Sequence, residues 1–98
     1  MSERGEAKRI GARLQKNSGR GKIQKGDAKW YGFVVDFKEF SKSFSLSKSV
    51  WAKASTDAVR QGADPLIIVV LGEEGEPKTR LAVIELALLE QMLEDKQD

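Results

Sequence analysis

The chain reads as a single-domain α/β fold, a mixed β-sheet flanked by helices in the order α-β-β-α-β-β-α. Three observations predict it. Pro65–Leu71 is an unbroken apolar run, the mark of a strand buried on both faces. Residues 30–40, WYGFVVDFKEF, are aromatic and β-branched, as strands prefer. Two other stretches, 47–61 and 85–95, place apolar residues at helical spacing.

Taken in order, residues 3–15 suit a short helix capped by Ser2, with Ala7, Ile10 and Leu14 along one side. Residues 16–26, KNSGRGKIQKG, are rich in glycine and cations and almost free of apolar side chains, which predicts an exposed loop. In the aromatic stretch that follows, Val34, Asp36, Lys38 and Phe40 fall on one face, and Val35, Phe37 and Glu39 on the other. Gly32 marks either a turn between two short strands or a kink in one. Residues 41–46 form a polar connection with embedded apolar anchors.

A helix over about 47–61 has Ser47 as cap, Val50, Ala54 and Ala58 as its stripe with Trp51 beside it, and Gly62 at the C-terminal glycine position. After the buried strand, EEGEP makes a turn, and residues 78–84 a further strand. A final helix from about Glu85 to Asp95 aligns Leu86, Leu89 and Leu93.

Composition narrows the chemistry. With 98 residues the chain forms one modest core. It has no cysteine and no histidine, which excludes disulfides, thiolate zinc sites and an imidazole base. A metal would be held by oxygen ligands, as magnesium and manganese are. No apolar run reaches a membrane span, and the N-terminal residues lack the apolar segment of a secretory signal, so a cytoplasmic protein without a membrane partner is expected. Residues 1–60 carry 14 Lys and Arg against 6 Asp and Glu, whereas residues 61–98 carry 3 against 9. That segregation points to a polyanionic partner for the first part.

The informative constellation is GD at 26–27 followed by VVDFKEF at 34–40. Asp36 and Lys38 stand two apart on a strand and share a face. A turn at Gly32 brings Asp27 back beside Asp36. Two converging carboxylates repel unless a cation sits between them, and phosphodiester hydrolysis uses such a cation together with a positive side chain. An exposed Asp–Lys pair of no consequence is the plain alternative.

This pattern, Asp27 and Asp36-x-Lys38 with a basic glycine loop before the strand, resembles the PD-(D/E)xK nuclease superfamily. More closely it resembles the small Holliday-junction resolvases of archaea and phages, whose plan can be laid along residues 6–40 through NSGRG at 17–21 and KGD at 25–27. The residues after Phe40 match less well, Gly26 stands where a proline is common, and Asp36 replaces the commoner Glu. The resemblance implies a restriction-endonuclease-like fold and a homodimeric endonuclease dependent on Mg²⁺ or Mn²⁺ that acts on branched DNA. Asp27 and Asp36 would be metal ligands, Lys38 would position the attacking water, and Glu6, or else Glu3, would be the acid of the first helix. A nuclease for linear, flap or single-stranded DNA, and a non-catalytic nucleic-acid-binding domain, are the competing readings.

Expected DNA contacts are Lys16, Ser18, Arg20, Lys22 and Lys25 with the amides of Gly19 and Gly21, extended by Arg9, Arg13, Lys29 and Lys42. Trp30, Tyr31 and Trp51 are expected first in the core or an interface, and second as stacking platforms for unpaired bases.

Overall fold

A computed structural model describes residues 3–11, 13–16 and 23–96, with side chains at 5–11 and 28–96. The elements are α1 (Glu3–Ile10), β1 (Arg13–Lys16), β2 (Ile23–Trp30), β3 (Phe33–Phe40), α2 (Lys48–Arg60), β4 (Asp64–Leu71), β5 (Thr79–Val83) and α3 (Leu86–Asp95). The strands form one sheet in the order β1-β2-β3-β4-β5. The pairs are antiparallel except β3–β4, which is parallel and bridged by α2.

The first expected helix is shorter than its apolar spacing implied. Gly11, at φ 78, donates its amide to the Lys8 carbonyl and ends α1 at Ile10. Arg13–Lys16 then runs back as a strand against β2, so Leu14 lies opposite Ala28 instead of on a helix face. The loop expected over 16–26 is correspondingly narrower, because β1 reaches Lys16 and β2 begins at Ile23. The element order is thus α-β-β-β-α-β-β-α. Ser2 and residues 17–22 lie outside the described residues.

Gly32 makes a turn and not a kink. Trp30 faces Phe33 across a two-residue loop in which Tyr31 and Gly32 both have positive φ, 49 and 82. Such loops match the right-handed twist of the strands they join. The α2 helix starts where Ser47 Oγ accepts from the Val50 amide at 3.1 Å, and it ends before Gly62 at φ 66.

Each face of the sheet has its own core. On one, Ala7 of α1 packs with Ala28, Val35, Phe37, Leu66, Ile68 and Val70. On the other, Ala54 of α2 packs with Ile67 and Val69, with Trp51 and Phe44 alongside. The strand read as buried on both sides is so from Pro65 to Val70, and each fully covered Val or Ile there contributes roughly 1.5–3 kcal/mol. The two helices do not cover equal ground. α1 lies against β1, β2 and β3, while α2 lies over β3 and β4. The α2-side face of β1 and β2 is therefore left uncovered by any described helix. At the C-terminal end, α3 has no buried residue, and Leu86, Leu89, Met92 and Leu93 are exposed. No described helix is long and apolar enough to cross a membrane.

Candidate nucleic-acid-processing site

Asp27 and Asp36 are direct register partners in the β2–β3 pair. The two-residue turn dictates this, because both stand the same number of positions from it. Aspartate is disfavoured in strands, and like charges directly opposite one another destabilise a sheet by roughly 0.2–1 kcal/mol. Lys38 offsets part of that repulsion: its Nζ lies 3.0 Å from Asp36 Oδ2, with the two side chains 36% and 24% exposed. The pair is open enough for a ligand to reach and enclosed enough for its charge to be felt.

The strand alternation extends the site. Positions 27 and 29 of β2 share the α2-side face with Asp36 and Lys38, and Arg13 of β1 is the register partner of Lys29. This is the half of the sheet that α2 leaves bare. The register thus sets the positions of Asp27 and Asp36 beside those of Lys29, Lys38 and Arg13 on a shelf next to a helix. Among these cations Lys29 is exposed.

Glu6 does not join the aspartates. Its carboxylate is buried at 2% exposure on the α1 side of the sheet, held in a two-pronged pair by Arg80 (Nε–Oε1 3.0 Å, Nη2–Oε2 3.3 Å), with Arg9 Nε at 3.5 Å. Arg80 is the register partner of Val70, whose face carries Phe37 and not Asp36. The first-helix acid expected at Glu6 is a structural anion, and the sheet itself separates it from the other carboxylate positions. The hydrogen bond with Glu6 raises the Arg80 guanidinium above its ordinary value, against some loss of hydration and with help from the Glu6 charge. Glu3, the alternative, lies in the first turn of α1.

Among the described residues no group of three or more acidic side chains gathers to hold a metal. Two carboxylate residues in register still suit magnesium or manganese, which keep several waters and need only one or two protein carboxylates. The donor set is all oxygen, as those ions require.

Of the expected DNA contacts, Ser18, Gly19, Arg20, Gly21 and Lys22 lie outside the described residues. Lys16 closes β1 opposite Ile23, and Lys25 lies in β2. Arg9 is drawn to Glu6, and Lys42 to Glu73 at 3.5 Å. Trp30 and Trp51 pack against the two cores, but Tyr31 does not: it is 89% exposed. Arg80 escaped the sequence reading, although position 80 falls in step with Ala82 and Ile84, and a charge at that step needs a buried partner.

No family model, no curated protein and no solved structure matches this chain. The site stands on its own geometry.

Proposed function

We propose that the chain is a metal-dependent endodeoxyribonuclease of the PD-(D/E)xK kind, a restriction-endonuclease-like domain that hydrolyses phosphodiesters in branched DNA in the cytoplasm and works as a homodimer. The observation that carries the reading is the opposition of Asp27 and Asp36 across a hairpin, with the Lys38 ammonium on Asp36. A strand pair that sets two aspartates against each other is costly as pure structure and becomes favourable when a cation is recruited. The mixed sheet with a helix on each face is compatible with that fold.

In this reading Asp27 and Asp36 would hold the divalent ion, and Glu6 has no part in it. When bound, Mg²⁺ or Mn²⁺ polarises the scissile phosphate and makes an attacking hydroxide available at neutral pH. Lys38 lends positive charge beside Asp36, where it steadies the water and the charge that develops on the phosphate. Lys29, with Arg13 as its register partner and Lys25 in the same strand, would take flanking phosphates, which positions the strand without reading its sequence. The exposed leucines of α3 support the homodimer, and two-fold symmetry suits paired nicks.

The test is incubation of purified protein with a labelled four-way junction and a linear duplex, with and without Mg²⁺. Cleavage is expected only with the metal and preferentially on the junction. Asp36→Asn and Lys38→Ala are expected to slow it by about 10²-fold or more. An Asp36→Asn variant that cuts as fast as the parent would refute the site. Cleavage of the duplex at equal rate would move the reading to a nuclease for linear DNA, and salt-sensitive binding without cleavage to a binding domain.

A further inference from the structure

Tyr31 occupies the first central position of the β2–β3 turn at φ 49, where two-residue loops favour Asn, Asp or Gly. A bulky aromatic there is out of keeping with turn chemistry, and its ring is 89% exposed. Its ring contact among the described residues is a T-shaped one with Trp30, centroids 5.8 Å apart at 65°, and at 89% exposure the Tyr31 ring remains open to solvent. Beside it lies a cleft of about 540 Å³, walled by Ile10, Lys29, Trp30, Gln61 and Gly62, where the ends of α1 and α2 meet the turn. The Gly32 carbonyl accepts from the Asp64 amide at 3.0 Å, which fastens the turn to the start of β4.

We propose that this cleft receives an unpaired nucleobase of a DNA strand, stacked on Tyr31, with the Lys29 ammonium against an adjoining phosphate. Every base offers a π-face, so an open aromatic ring beside a cation is a sequence-tolerant platform for single-stranded nucleic acid. The position follows from register: Lys29 faces Val34, and two steps along the same strands Asp27 faces Asp36. From Phe33 to Asp36 the strand advances ~10 Å, about three stacked nucleotides at ~3.4 Å each. A strand whose unpaired base is held at the turn therefore crosses the aspartates a few nucleotides away. This deepens the nuclease reading, on which it rests for its purpose, by naming the substrate class as DNA with unpaired nucleotides next to the cut. The binding step itself needs neither metal nor carboxylate.

Fluorescence anisotropy in EDTA, with labelled oligothymidylate and a blunt duplex as probes, tests the assignment on the parent, Tyr31→Asn and Tyr31→Phe. Asn suits the turn, so Tyr31→Asn is expected to keep or raise the Tm. Its affinity for oligothymidylate is expected to fall ~10-fold, with duplex binding held within ~2-fold, since phosphate contacts survive. Tyr31→Phe keeps the ring and the affinity. The proposal fails if the parent does not bind oligothymidylate, if Tyr31→Asn binds it like the parent, or if both probes weaken together. It fails equally if Tyr31→Asn changes only self-association in sedimentation, or if oligouridylate is the tighter ligand. Cleavage by the parent and by Asp36→Asn is scored separately. Tyr31-dependent binding without metal-dependent cutting would sink the nuclease and leave the cleft assigned, and cutting without Tyr31-dependent binding would do the reverse.

Discussion

At the scale of single residues, the same side-chain type has opposite uses in this chain. Glu6 is a carboxylate withdrawn from water, and its neutralisation by Arg80 is what allows α1 to lie on the sheet. The consequence is asymmetric. Arg80→Leu strands a buried anion with only the more distant Arg9, and the Tm is expected to fall by on the order of 10 °C. Glu6→Gln leaves Arg80 free to turn its 30% exposed side chain toward water, and a thermal melt should register a clearly smaller loss. Because the guanidinium is raised above its ordinary value, its share of stability is fully present below that value and is lost only in strong alkali. Asp36 is the contrary case, a carboxylate left partly in water with an ammonium beside it. Its face and its cross-strand neighbour were legible because alternation and one glycine set them. The role of Glu6 was not, since its partner lies 74 residues away and no local pattern announces it.

Elements were legible in proportion to how far their signals are local. α2 is marked at both ends, by Ser47 and by Gly62, and the structure agrees with the sequence there. Ser47→Ala removes the bond to the Val50 amide and is expected to cost about 1 kcal/mol, a drop of ~4–8 °C in a thermal melt of a domain this size. β4 announces itself because burial on two faces leaves no polar position from Leu66 to Leu71. β1 did not. Arg-Leu-Gln-Lys has no strand signature of its own, and it is a strand because β2 lies next to it. Gly11 was the available clue, since a glycine one turn after Lys8 stops a helix as readily as Gly62 does. The hairpin turn is the reverse lesson. A Tyr-Gly pair is a poor turn signal, and its fit to a two-residue loop came from the register of the flanking strands.

For the molecule as a whole, basic charge and exposed apolar surface fall on different elements of the chain. The basic shelf lies on β1–β3, and the acidic, leucine-bearing α3 follows β5, the opposite edge strand of the sheet, in the chain. An apolar helix face with no cover in one copy is expected to find it in a second. Leu89→Glu combined with Leu93→Glu should therefore halve the mass seen by light scattering while leaving the Tm of the sheet nearly unchanged, because neither side chain is buried. A parent that is already monomeric at micromolar concentration would remove the dimer from the account.

The bond between Glu6 and Arg80 also sets an order of events during synthesis. α1 cannot settle on the sheet without burying an anion that only the more distant Arg9 attends, and the guanidinium that completes its pairing arrives only with residue 80. As the chain leaves the ribosome, α1 therefore lacks its two-pronged anchor until β5 has emerged.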